Sequence, residues 1–177
     1  MARLFGTDGI RGLAFGEVLT EDLTRQVAAA AVRVLGGSRV VLGRDTRPSG
    51  PALEKAAVEG FTAAGADVVL LGVVPTPAVA QVVAAGGADL GVMLSASHNP
   101  MPDNGIKLFA KGGHKLPDEV EDAVETAIAH NAAREWTRPV GAGVGRISDH
   151  TEGAERYLAH LLAGLPTRLD GLKVVVD

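Results

Sequence analysis

Residues 39–94 read RVVLGRDTRPSGPALEKAAVEGFTAAGADVVLLGVVPTPAVAQVVAAGGADLGVML, and this stretch decides the fold. Arg39 to Leu42 is a short β-branched run, which predicts a buried strand. Gly43 to Gly50 is polar and reads as a loop. Pro51 then suits a first helical turn, and Leu53, Ala56, Ala57, Gly60, Phe61 and Ala64 share one helical face until Gly65. Asp67 to Val74 predicts a second strand, Ala78 to Ala85 a short helix after Pro75-Thr76-Pro77, and Asp89 to Leu94 a third strand. An order of strand, helix, strand, helix, strand demands crossover connections. The expected fold is therefore α/β, a mixed and largely parallel sheet covered by helices.

The flanks extend this frame. Thr20 to Leu35 predicts a helix with Thr20 as N-cap, Glu21 and Asp22 at its positive end, and Gly36-Gly37 closing it. Asn104-Gly105 predicts a turn, with Ile106 to Phe109 as a strand beyond it. Val120, Val124, Ala127 and Ile128 mark another amphipathic helix, Arg138 to Gly145 a loop, and Tyr157, Leu158, Leu161 and Leu162 a last helix. Lys173-Val174-Val175-Val176-Asp177 predicts a strand that begins a second unit. The domain expectation is thus 1–170 for a serine-bearing α/β domain, with 171–177 the truncated start of a similar one.

Composition narrows the function classes. The chain has 177 residues, 46% of them hydrophobic, which is ample for a core. Aromatics are 3%, so the core is built from Ala, Val and Leu. A net charge of −4, with no Lys/Arg cluster, argues against nucleic acid as a partner. There is no cysteine, which excludes disulfides and thiolate metal sites. No stretch reaches the roughly 18 apolar residues of a membrane span. A cytoplasmic protein is expected.

One polar constellation stands out, Ser95-Ala96-Ser97-His98-Asn99-Pro100, directly after the third strand. Ligands of open α/β sheets bind beyond the carboxyl ends of strands, although such residues also form turns for local reasons. A Ser/His hydrolase is disfavoured, because an adjacent His is badly placed to serve its neighbour and no Gly-x-Ser-x-Gly elbow is present. Phosphate handling fits better. Ser can carry a phosphoryl group, His98 and Asn99 can donate to its oxygens, and Lys107 can bring a cation back to them. Phe5-Gly6-Thr7-Asp8-Gly9-Ile10-Arg11-Gly12 offers a second candidate: its backbone can approach an anion and Arg11 can clamp it. The alternative is a mobile turn. Gly43-Arg44-Asp45-Thr46-Arg47-Pro48-Ser49-Gly50 reads more as structure, an internal Asp–Arg pair with a helix cap.

Taken in order, the Phe5–Gly12 opening, the Gly43–Arg47 loop, the Ser95–Pro100 loop and Asp103-Asn104-Gly105-Ile106-Lys107 resemble the α-D-phosphohexomutase superfamily across essentially the whole chain. The opening and the Asp-Asn-Gly-Ile-Lys-x-Phe form are most similar to its phosphoglucosamine mutase branch. That resemblance implies interconversion of glucosamine 6-phosphate and glucosamine 1-phosphate through a phosphoserine and a hexosamine 1,6-bisphosphate. It implies Ser97 as the phosphorylated residue, a choice that periodicity cannot make against Ser95. It further implies His98 and Lys107 as catalytic partners, Thr7, Arg11 and Asn99 as phosphate and substrate contacts, and Mg²⁺ bound through a Ser97 phosphate oxygen. The Asp-rich metal loop and the sugar-recognition segments of the family are absent from these residues. Partners are then a phosphosugar and the remaining domains of a parent enzyme, and the 177-residue chain alone is expected to be inactive. A phosphomannomutase or phosphoglucomutase, or a non-catalytic phosphosugar-binding module, are the alternatives.

Overall fold

The alternation of inward-facing residues along the central strands sorts the molecule into layers. In a computed structural model, which describes residues 3–132, 137–149 and 153–175, the strands are β1 (Ile10–Leu13), β2 (Arg39–Arg44), β3 (Asp67–Val73), β4 (Leu90–Leu94), β5 (Asp103–Ala110), β6 (His114–Lys115) and β7 (Ile147–Asp149). The helices are α1 (Glu21–Leu35), α2 (Gly50–Ala63), α3 (Thr76–Ala84), α4 (Asp118–Ala132) and α5 (Gly153–Ala163). Val40 and Leu42 of β2, Val68 of β3, and Leu90, Val92 and Leu94 of β4 face a core shared with α1, α2 and α4. Their neighbours Val41, Val69, Leu71 and Met93 face the opposite way, onto Ala78, Val79 and Val83 of α3. The period of two thus produces an α/β/α sandwich.

The strands are ordered β1-β5-β4-β2-β3-β7, with β6 paired to β5. β2 pairs parallel with β3 and β4, and β3 with β7, whereas β5 is antiparallel to β1, β4 and β6. Six of the seven strands therefore point one way and β5 alone opposes them. The mixed, largely parallel sheet expected from the sequence is what forms.

Local signals set the helix ends. Thr20 Oγ1 accepts from Leu23 N at 3.0 Å, so the expected cap closes α1. α2 starts beside Pro51, but the Ser49 side chain makes no capping bond; its hydroxyl instead accepts from Asn104 Nδ2 at 2.9 Å. α3 begins at Thr76, two residues earlier than expected, because Pro77 fits its first turn.

Asn104-Gly105 forms no turn, contrary to expectation. Both residues lie inside β5, opposite Gly12 and Arg11 of β1. Asn104 is fully buried, and its Oδ1 accepts from Gly105 N at 2.8 Å. A Cβ at Gly105 would lie 2.8 Å from the carbonyl oxygens of both Ile10 and Ser95. Here the glycine serves close approach between three backbones, and the real turn comes earlier, where Asp103 N donates to Pro100 O at 3.0 Å.

The amino-terminal segment is fixed to the domain. Leu4 and Phe5 N–H donate to Glu125 Oε1 of α4 at 2.9 and 3.0 Å, and Phe5 is buried. At the other end, Lys173–Val175 pair with no strand among the described residues and their valines are exposed; Val176 and Asp177 of the expected strand lie outside those residues. No described helix is long and apolar enough to cross a membrane.

Candidate active site

Topology brings three carboxyl-edge loops together. β4 ends at Leu94 and passes into Ser95–Asn99, and its neighbour β2 runs into Asp45. β3 leads to Thr76. Across β5, Ile106 pairs with both Leu94 and Ile10, so β1 begins level with the end of β4. The Gly6–Gly9 turn is thereby set beside the serine loop.

A cavity of about 220 Å³ lies there, lined by Asp8, Arg11, Thr76, Met93, Ser95, Ser97, His98 and Lys107. Four of the residues expected from the sequence, Ser97, His98, Lys107 and Arg11, meet in it. Thr7 and Asn99 do not line it. Thr7 is exposed in the turn, and Asn99 Nδ2 donates to Asp103 Oδ2 at 3.0 Å. Asp8, Thr76 and Met93 were missed. Asp8 stood inside the quoted opening motif, and Thr76 at the carboxyl end of an expected strand, so position alone could have flagged both. A larger cavity, about 590 Å³ between Leu162 and Asp170, is lined by none of the residues expected from the sequence.

The two serines are now distinguishable. Ser95 Oγ donates to Asp45 Oδ2 at 2.7 Å and accepts from Ser97 N at 3.0 Å, so it is spent on holding the loop. Ser97 is exposed, and its Oγ lies 3.4 Å from His98 Nδ1. Its φ of +57° is left-handed, a conformation that costs a non-glycine residue about 1–3 kcal/mol and persists where the surroundings enforce it.

The cavity is electropositive and holds one carboxylate. Lys107 Nζ lies 3.3 Å from Asp8 Oδ1, and an Arg11 terminal nitrogen 3.7 Å from Asp8 Oδ2. The Lys107 hydrogen bond, then the Lys107 and Arg11 charges, hold the Asp8 carboxyl below the usual carboxylate range. Arg11 Nε is buried without a hydrogen-bond partner. Two cations against one carboxylate leave capacity for an anion. Among the described residues, no three His, Asp or Glu side chains come together in a group that could hold a metal ion. Mg²⁺ therefore does not fit the described side chains by themselves.

The family profile for "Phosphoglucomutase/phosphomannomutase, alpha/beta/alpha domain I" matches residues 2–135. This chain belongs to that family. The domain I match spans the loop Ser95–Pro100 and every residue lining the cavity. Curated relatives include the phosphoglucosamine mutases of Salinispora arenicola, 60% identical over 183 residues, and of Frankia casuarinae, 60% identical over 189. Each match covers 100% of this chain but 40% and 41% of the respective relative. The chain thus spans about two-fifths of the length of these relatives. Among solved structures, a phosphoglucomutase/phosphomannomutase family protein from Burkholderia thailandensis superposes with a TM-score of 0.72 at 32% identity, covering 92% of this chain and 36% of that one.

Proposed function

We propose that this phosphohexomutase domain carries the phosphoserine of a phosphoglucosamine mutase, interconverting glucosamine 6-phosphate and glucosamine 1-phosphate through a bisphosphate intermediate. The observation that carries the reading is Ser97: an exposed hydroxyl on a left-handed turn, in one cavity with Lys107, Arg11 and His98. The names of the relatives at 60% identity favour the amino sugar.

In this reading a sugar hydroxyl oxygen attacks the phosphorus on Ser97. An O–P bond to the sugar forms as the Oγ–P bond breaks. The hydroxyl proton leaves to solvent, and Oγ takes a proton from the neighbouring His98 Nδ1. Phosphoryl transfer asks chiefly for positioning and charge neutralisation, which Lys107 and Arg11 supply to the travelling oxygens. The bisphosphate then reorients, and Ser97 Oγ, giving its proton back to His98, attacks the sugar's other phosphate. The sugar O–P bond breaks as the Oγ–P bond forms, and the freed sugar oxygen takes a proton from solvent. The Mg²⁺ of the family would meet one donor in this chain, a Ser97 phosphoryl oxygen, and this chain's own share of the work is that of the side chains just named.

The test is peptide mass spectrometry of the full-length enzyme that carries these residues. Phosphate is expected on Ser97, and it should exchange with labelled glucosamine 6-phosphate. An enzyme with no phosphate on Ser97, even after incubation with a hexose bisphosphate and Mg²⁺, would overturn the reading.

A further inference from the structure

We propose that Arg47 is a positioning residue for the phosphoryl-carrying serine: its guanidinium fixes the left-handed turn that presents Ser97 Oγ to the cavity. The proposal rests on the mutase reading for its kinetic consequence, and on geometry alone for its structural one.

The guanidinium has five N–H donors, and each is directed at a loop acceptor. Nε donates to Asp45 Oδ2 at 3.0 Å. One terminal nitrogen donates to Pro100 O at 2.6 Å and Asp103 O at 2.8 Å, the other to Ser97 O at 3.0 Å and Asn99 O at 2.9 Å. Arg47 itself is 9% exposed. Four carbonyl oxygens between residues 97 and 103 therefore converge on a single buried cation. Without it their negative ends would face one another in a half-buried loop, an arrangement that opens unless a donor is supplied.

The carbonyl of Ser97 is one of the four, so turning it outward rotates the residue that carries Oγ. The amide of Ser97 leads back to the same place. It donates to Ser95 Oγ, which donates to Asp45 Oδ2, which pairs with Arg47. Both backbone polar groups of Ser97 thus trace to the Asp45–Arg47 pair. Arg47 does not line the cavity that holds Lys107 and His98; it lines a neighbouring one with Asp45 and Asn99. With all five donors engaged by Asp45 and the loop carbonyls, it acts on the reaction through the loop. Lysine cannot replace it, because a point ammonium with three donors cannot span a carboxylate and four carbonyls in one plane.

A residue that only packs would lower stability without singling out the chemical step. Loss of a positioning residue moves the phosphoryl-carrying serine while leaving Lys107 and Arg11 to bind phosphate. In the full-length enzyme, Arg47→Lys and Arg47→Ala should lower kcat by about a hundredfold, the scale of a 1 Å misplacement. KM should stay within about threefold, and millimolar guanidinium should restore part of the kcat of Arg47→Ala where equal urea does not. A kcat for Arg47→Lys within about threefold of the parent, or equal responses to guanidinium and urea, would overturn the proposal. A second arm does not depend on catalysis. In the 177-residue chain, NMR coupling constants and chemical shifts should report a left-handed Ser97, lost in Arg47→Lys while strand β2 resonances hold. A Ser97 signature unchanged by Arg47→Lys would sink the proposal whatever the enzyme does. Absence of phosphate on Ser97 in the unsubstituted enzyme would instead sink the mutase reading and leave this arm standing.

Discussion

Gly9→Ala tests how tightly the opening segment must lie against β5. A Cβ at Gly9 would stand 2.3 Å from the Ile106 carbonyl oxygen and 3.2 Å from both the Ile106 carbonyl carbon and Lys107 Cα. These are backbone atoms in a strand paired on both sides, so neither can step back alone. Gly9 also has φ +91°, where an L side chain costs about 1–2 kcal/mol. Prying β1 from β5 adds about 1–3 kcal/mol, the usual cost of overpacking. Together these make about 2–5 kcal/mol, a large share of the about 5–15 kcal/mol that holds a domain folded. Urea denaturation of the 177-residue chain, followed by circular dichroism, reads this directly. At a slope of about 2–3 kcal/mol per M, the midpoint should fall by about 0.7–2.5 M with the slope unchanged. A midpoint shift below about 0.3 M would refute the reasoning, since the segment would then have room that the geometry denies it.

Two further outcomes bear on the site. In the full-length enzyme, Ser97→Ala should abolish turnover and Ser95→Ala should leave a reduced rate, because Ser95 braces the loop and Ser97 holds an exposed hydroxyl beside His98; the reverse order would exchange their roles. Asp8 should titrate below the ordinary carboxylate range by carboxyl carbon NMR, and Lys107→Met should return it toward that range. A depressed folded pKa stabilises the fold above the ordinary carboxylate pKa and ceases to as pH falls through the folded value, so this contribution should shrink in Lys107→Met to the part that Arg11 supplies. An Asp8 titration unmoved by Lys107→Met would refute the pairing.

Much of the frame was legible because its signals are local. The Thr20 cap, the run of Ala and Val in α1, and strands β2 to β4 each declare themselves within a few residues. β1 did not, since Ile10–Leu13 is four residues long and its partner β5 lies ninety or more positions away. β7 is three exposed residues, with no apolar face to read. Asn104-Gly105 carries the same dipeptide that makes hairpin turns. What put it inside a strand was a partner for the amide at Ser49 and a crowd of carbonyls around Gly105, both remote in sequence. The site was legible in the same measure. Ser97, His98, Lys107 and Arg11 came from motifs, and Asp8 and Thr76 stood at positions that could have been flagged the same way, but that all six line one cavity shows only once the sheet sets their loops at the same edge.

The Asp45–Arg47 pair shows why a structural and a functional reading of one loop need not compete. Left-handed backbone at Ser97 costs about 1–3 kcal/mol. Hydrogen bonds to a charged group return about 1.5–3 kcal/mol each, and Arg47 makes four of them to the carbonyls of this loop alone. The strain is therefore more than offset before any ligand arrives, and the turn is held whether or not Ser97 carries phosphate. A phosphoryl carrier already in place, the role proposed for Ser97, would spare the backbone from reorganising as charge moves, which is where preorganised sites draw most of their effect. An ion pair that reads from sequence as an ordinary loop brace also anchors both backbone polar groups of the serine that faces the cavity.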